Sequence, residues 1–326
     1  MNTVNLLSIS GGKDSTAMML YAYEQGVDAQ LVFSDTGHEH PLTYGYVQYL
    51  NDWCKENWGR EIQVVKADFT RQLAVRRANI QKKWEGDVPQ ERIDLALANL
   101  EPTGNPFLDL CKLKGRFPST RARFCTTELK HIPIQQEVID PLLKETDCLI
   151  SWQGVRAEES PSRAKLPEKD VEFGAWEPEP TGFLIYRPLI RWTAEQVFDQ
   201  HRKHGVDWNP LYEQGMSRVG CFPCIMCRKS EIQKIAVRFP DQIDRVAEWE
   251  GEVTKTSKRG SASFFATDKT PDGRQALIDG ENPSIGIREV SEWAKTGRGG
   301  KQMDLIHLIE EQEEMPSCSS VYGLCE

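Results

Sequence analysis

The chain of 326 residues is 39% hydrophobic with a net charge of −9, enough to bury one large core with an appended subdomain, and its acidity argues against a broad nucleic-acid footprint while leaving room for a local basic patch. No stretch reaches the ~18 apolar residues of a membrane span, and residues 1–8 lack the charged start and cleavage site of a signal peptide, so a cytoplasmic protein without membrane contact is expected. In that reducing setting the nine cysteines are expected to be metal ligands or reactive thiols rather than disulfides.

Val4 to Ile9 reads as a short buried strand, Ser10-Gly11-Gly12-Lys13-Asp14-Ser15 as a turn, and Thr16 to Glu24 as a helix whose N-terminus points back at the turn. Adjacent glycines let backbone N–H groups approach a phosphate, and the helix end adds partial positive charge. Lys13 supplies a full charge, while Ser10 and Ser15 supply hydroxyls, with Ser8 just before them on the strand. The spacing is not that of a Walker A loop. A second strand, Ala29 to Phe33, leads into the turn Asp35-Thr36-Gly37, a helix follows from Thr43 to Trp58, and a third strand spans Glu61 to Lys66. This alternation predicts an α/β fold, a parallel sheet with helices on both faces. Ligands in such sheets sit beyond the carboxyl ends of the strands, where the first turn and the Asp35 turn meet, so Asp35 is placed to orient a magnesium ion or a nucleotide.

Residues 69–99 are polar and helical in pattern. Lys112, Lys114, Arg116, Arg121, Arg123 and Lys130 then form a basic cluster around Cys125 that suits an anionic ligand. A fourth strand, Asp147 to Trp152, runs into Gly154, Arg156 and Arg163; these arginines either reach phosphates held by the first turn or pair with Glu158 and Glu159. Residues 168–182 read as a surface loop, and Thr193 as the N-cap of a helix from Ala194 to His204. Cys221, Cys224 and Cys227 have spacing that can converge on one metal, zinc or iron–sulfur, with Cys125 as the best-placed fourth ligand and Cys111 as the runner-up. Residues 229–249 and 285–314 read as helices separated by a flexible segment, 255–271. The tail 316–326 carries Cys318 and Cys325, and a mobile Cys325 could visit an active site. The expected division is a nucleotide-binding α/β domain over 1–205 and a mostly helical, cysteine-bearing subdomain over 206–326.

The SGGKDS turn matches the pyrophosphate loop of the PP-loop ATP pyrophosphatases, enzymes that cleave ATP between the α and β phosphates. Together with FSDTGHEHPLTY at 33–44, RFCTTELKHIP at 123–133, GVRAEESPSR at 154–163 and NPLYEQGMSRVGCFPC at 209–224, it resembles the PAPS reductase-like family. The resemblance implies an adenine nucleotide alpha hydrolase-like fold. Assimilatory reductases of that family have a degenerate first turn; the intact turn here resembles members that consume ATP. Cluster-bearing adenylylsulfate (APS) reductases use a Cys-Cys pair where this chain has Cys125-Thr126, and Cys227 adds a cysteine after the later pair, which implies a [4Fe-4S] cluster in altered form, with zinc as the alternative. The combination is similar to the ATP pyrophosphatase subunit of DNA phosphorothioation systems. It implies that an acceptor, such as a DNA backbone phosphate, attacks ATP while Gly11, Gly12, Lys13 and Ser15 hold the pyrophosphate, Mg²⁺ screens its charge, and Arg156 and Arg163 stabilise the transition state. Asp14, Thr36, Gly37 and Gly154 complete the expected nucleotide contacts, and a cysteine desulfurase is the implied sulfur donor. The alternatives are a PAPS or APS reductase that releases sulfite, a sulfate adenylyltransferase-like enzyme, and a cluster-bearing ATP-binding sensor or scaffold.

Overall fold

A computed structural model describes residues 2–297. The first half of the sheet is wound in chain order: β1 (Thr3–Ile9), α1 (Lys13–Glu24), β2 (Ala29–Asp35), α2 (Pro41–Trp58) and β3 (Ile62–Lys66). Helices α3 (Thr70–Trp84), α4 (Gln90–Asn99) and α5 (Pro106–Lys114) follow, then a long helical stretch over residues 124–145, termed α6. The sheet resumes with β4 (Cys148–Trp152), β5 (Lys169–Ala175) and β6 (Thr181–Tyr186), and α7 (Ala194–His204) covers it. The remaining helices are α8 (Lys229–Arg238), α9 (Pro240–Thr256), α10 (Pro271–Ile278) and α11 (Ile287–Ala294).

The six strands lie in the order β3-β2-β1-β4-β6-β5, and every pairing is parallel except β5 with β6. Successive strand side chains point to opposite faces, so Leu7, Ile9, Leu31 and Phe33 pack with Leu20, Val47, Leu50 and Val197 on one side. Leu6, Val32, Val65 and Leu149 pack with Val138 and Ile139 of α6 on the other. Both faces are therefore covered by helices, as the alternation of elements predicts. A third core draws on two separate stretches of chain: Leu73, Ile80, Phe107 and Leu110 from α3 and α5 meet Ile232, Ile243, Val246 and Val290 from the C-terminal helices.

Two sequence expectations are corrected. Residues 168–182 contain β5, whose antiparallel pairing with β6 closes the sheet edge. Its residues are mostly exposed and prolines flank it, so neither burial nor clean alternation marked it. Residues 255–271 are not merely a flexible spacer: Phe264 is 1% exposed, packs edge-on to Phe117 and Phe265, and has its backbone N–H tied to Glu250 Oε1 at 2.7 Å. Boundaries also shift. α1 begins at Lys13 because Gly12 is extended and serves as its N-cap, which shortens the expected turn. β2 runs on to Asp35. The tail with Cys318 and Cys325, and residues 298–314 of the last expected helix, lie outside the described residues. Among the described residues no helix is long and apolar enough to cross a membrane.

If residues 255–271 belong to the core, Phe264→Ala lowers the free energy of unfolding by ~3–5 kcal/mol, the cost of a large buried cavity. Phe173→Ala on the exposed face of β5 costs under ~1 kcal/mol. Urea denaturation of the two variants side by side makes the comparison, and equal losses would contradict it.

Candidate active site

β1 lies where the strand order reverses, with β2 on one side and β4 on the other, so the crevice beyond its carboxyl end is the expected ligand site of an open parallel sheet. The chain leaves β1 through Gly11, whose φ of +70° favours glycine and whose added Cβ would lie 2.9 Å from Thr43 Cγ2. The loop is shaped from behind by distant residues. Asn209 Nδ2 donates to Gly11 O at 3.0 Å, Lys13 N donates to Tyr212 Oη at 3.0 Å, and His201 Nε2 donates to Lys13 O at 3.0 Å. Burial lowers the His201 pKa, which keeps that ring neutral with its proton on Nε2. Inside the loop, Ser15 Oγ accepts from Ser10 N and donates to Gly12 O.

Charge is concentrated at the start of α1. Lys13 Nζ is 3.1 Å from Asp14 Oδ2 and 5.3 Å from the centre of the Tyr212 ring, while the other Asp14 oxygen takes the guanidinium of Arg156. Arg156 comes within reach because the turn after β4 packs flush on α1: a Cβ on Gly154 would lie 3.0 Å from Asp14 O. Arg156 is 4% exposed and also pairs with Glu158. Arg163 pairs with Glu159 and is 44% exposed. Both arginines thus make the glutamate pairs that the sequence allows, and Arg156 in addition joins the loop.

Ser8, Ser10, Gln153 and Gly154 line a cavity of about 440 Å³ together with the apolar side chains of Ile9, Val32, Val155 and Ile185. Of the loop residues 10–15, Ser10 lines this largely apolar cavity, whose few polar groups at one end are of the kind that orient a small ligand. Glu39 and Lys130 reach the same cavity. Asp35 Oδ1 accepts from Gly37 N at 2.8 Å and Tyr44 Oη at 2.7 Å, leaving Oδ2 3.8 Å from Lys66. Thr36 is buried and donates from Oγ1 to Glu39, and the carbonyl of Gly37 accepts from Asn105 Nδ2. These two residues shape the turn rather than line the cavity. The single Tyr44 hydroxyl proton is shared between Asp35 and Glu39, the latter at 3.1 Å, and burial, then Glu39, raises the Tyr44 pKa.

Glu39 also forms an antiparallel bridge with Cys221. His38 completes the junction, accepting from Phe222 N on its carbonyl at 2.7 Å and donating from Nε2 to Pro223 O at 2.8 Å. The cysteines lie near one another around Cys224, which acts electrostatically on Cys125, Cys221 and Cys227. Cys221 Sγ faces Thr36 Oγ1 at 3.8 Å and Glu39 Oε1 at 3.9 Å, whereas Cys227 and Cys111 are buried in the helical core, with Cys125 and Cys224 packed against its side. Burial pushes the Cys221 and Cys227 thiols up to about 12 and raises Cys125 and Cys111 as well. Among the described residues no three Cys, His, Asp or Glu side chains are gathered so that they could hold a metal ion. The expected [4Fe-4S] or zinc centre on Cys125, Cys221, Cys224 and Cys227 is not shown by this arrangement, and no step below passes through one.

The basic cluster of 112–130 divides. Lys112 is buried and donates from Nζ to Glu101 O, and Lys130 turns to the cavity. Lys114, Arg116 and Arg123 line a separate cleft. Lys130 was expected as part of the basic cluster, whereas Glu39, Asn209, Tyr212 and His201 were not singled out in the sequence. Glu39 has a local signal in the His38-Glu39-His40 turn; the others owe their roles to contacts across the chain.

Residues 4–227 match the phosphoadenosine phosphosulfate reductase domain family. The chain is 45% identical to an uncharacterized 37.8 kDa protein of Escherichia phage 186, covering 100% of this chain and 97% of that one. An uncharacterized nin region protein of Escherichia phage lambda is 30% identical over 73% of this chain and 70% of its own. Phosphoadenosine 5'-phosphosulfate reductase of Escherichia coli is 26% identical over 66% of this chain and 68% of its own. Among solved structures, the phosphoadenylyl-sulfate reductase from Candida auris in its phosphate complex aligns with a TM-score of 0.38 at 18% identity, covering 68% of this chain and 82% of that one.

The junction at His38 predicts a pH dependence. Burial, then the nearby charges of Arg245 and Lys130, lower its pKa from 6.5 to about 3, so between those values the unfolded chain binds a proton that the folded chain refuses. The His38 contribution to stability is complete above pH 6.5 and is lost as pH falls toward 3. His38→Gln, which keeps a donor for Pro223 O, flattens that part of the profile in urea titrations across this range. An unchanged slope would show that His38 is not held neutral.

Proposed function

The chain belongs to the phosphoadenosine phosphosulfate reductase domain family, and from that premise we propose that it is an ATP-consuming member, a pyrophosphatase that transfers the adenylyl group to an acceptor and so readies the acceptor for sulfur. The observation that carries this reading is the intact loop with Lys13 buried at its tip, next to Asp14 and within the same charge network as Arg156. A phosphate chain laid over Gly11 and Gly12 meets backbone N–H groups and the N-terminus of α1. ATP enters as its Mg²⁺ complex, and Asp35 offers Oδ2 at the end of β2.

In the proposed reaction an acceptor oxygen forms a bond to the α-phosphorus while the bond to the β-phosphate bridging oxygen breaks. The pyrophosphate leaves with its new charge facing Lys13, the hydroxyls of Ser10 and Ser15, and Arg156. Charge stabilisation of this kind is worth most when donors are fixed before the reaction, and the contacts from Asn209, Tyr212 and His201 fix this loop. Displacement of AMP from the acceptor by a sulfur nucleophile falls to a separate donor such as a cysteine desulfurase.

A second reading is a sulfonucleotide reductase, favoured by the 26% identity to the Escherichia coli reductases. The two are separated by products. With Mg²⁺ and ATP the protein yields AMP and pyrophosphate, and Lys13→Ala lowers that rate at least ~100-fold, ~2.7 kcal/mol of transition-state stabilisation. Sulfite release from PAPS or APS, with no pyrophosphate from ATP, would overturn the pyrophosphatase reading.

A further inference from the structure

Helix α6 forms one wall of the cavity beyond β1, and its backbone is irregular where it does so. Two of its turns are widened: the N–H of Ile132 bonds the carbonyl of Thr127, and the N–H of Asp140 bonds that of Gln135, reaching five residues back where a regular helix reaches four. Each widened turn ends at the residue before a proline, Pro133 in one case and Pro141 in the other. A proline inside a helix has no N–H to give, and its ring crowds the carbonyl four residues back. For Pro133 that carbonyl belongs to Leu129.

The widening decides which side chains meet the cavity. From α6 these are Lys130, His131, Ile134, Gln135 and Ile139. Nine steps of ~100° would set Lys130 and Ile139 on opposite sides of a regular helix, yet both line the same cavity. The widened turn over residues 135–139 takes up the difference. The turn before it separates two neighbours: Leu129 is fully buried in the helical core, whereas Lys130 turns to the cavity as the one lysine in its lining, where no arginine accompanies it.

That first widened turn is tied to the sheet. Ser34, near the end of β2 and 8% exposed, donates from Oγ to the carbonyl of Leu129 at 2.6 Å, across 95 positions of sequence. It therefore serves the carbonyl that Pro133 leaves without its usual donor. We propose that Ser34 is a positioning residue for the bound nucleotide: its hydroxyl stands in for the N–H that Pro133 lacks, pins the widened turn against β2, and so aims the ammonium of Lys130 at the anionic part of the ligand. The inference rests on the proposed function for the nucleotide, but not for the reaction that follows.

The test is a double-mutant cycle on the full chain, with affinities for Mg²⁺–ATP and for PAPS measured by isothermal titration calorimetry and a urea midpoint recorded for each variant. Whichever nucleotide the wild-type protein binds, Ser34→Ala weakens it ~tenfold and Lys130→Gln at least as much. The double variant Ser34→Ala/Lys130→Gln binds within ~twofold of Lys130→Gln alone, because Ser34 acts through Lys130. Pro133→Ala supplies the missing N–H and lets the turn tighten, so the urea midpoint holds or rises while affinity falls at least ~threefold. A hydroxyl that merely stabilises the fold gives another pattern. Losses that multiply in the double variant, a lowered urea midpoint for Ser34→Ala at unchanged affinity, or wild-type affinity in Pro133→Ala each overturn the proposal even if ATP is converted to AMP and pyrophosphate. Binding of neither nucleotide overturns it together with the nucleotide reading. A coupled cycle on PAPS, with no pyrophosphate from ATP, instead leaves Ser34 in its role and removes the adenylation reading.

Discussion

The site depends first on the carboxylate of Asp14, which stands between the ammonium of Lys13 and the guanidinium of Arg156. Two like charges held beside one carboxylate repel each other, and both of these side chains are buried. Asp14 offsets that repulsion and at the same time fixes where the two cations point. It can do so only because Gly154 lets the turn after β4 come into contact with the first turn of α1. A single missing side chain thus brings a residue of β4's turn into a network that begins on α1.

The loop itself is held by residues far along the chain. The Lys13 N–H finds its acceptor 199 positions away in Tyr212, and the Lys13 carbonyl finds its donor 188 positions away in His201. A glycine-rich loop has many conformations to lose on folding, and these neutral hydrogen bonds select one of them without adding charge to a site that already holds three charged groups. Burial keeps His201 from taking a second proton, so this brace does not loosen near neutral pH.

What the sequence made legible was local. Thr193 caps α7 through Gln196 N, and that helix spans Ala194 to His204 as capping chemistry and periodicity predict. The tight turn from β1 to α1 was equally plain, because glycine, lysine and serine at a strand-to-helix junction act through their immediate neighbours. The hidden parts were those decided by distant packing. β5 is an exposed edge whose order comes from β6, and Phe264 lies in a polar stretch whose burial comes from Phe107, Phe117 and Glu250. The cysteines show the same limit: spacing brings their thiols into one neighbourhood around Cys224 but does not decide the other groups each thiol meets. Cys221 turns to Glu39 and Cys227 to the helical core.

The junction of the His38-Glu39 turn with residues 221–223 joins the sheet to that helical core. His38 lies stacked on Phe107 at 4.1 Å, so the turn that presents Glu39 to the cavity is anchored in a different core from the strand it leaves. Lys130 of α6 faces this junction: Cys221 and then Glu39 raise its pKa against the opposing effect of burial, which keeps it charged. The same helix begins beside Arg123 in the basic cleft. One helix therefore runs from the cleft that Arg123 lines to the cavity that Lys130 lines.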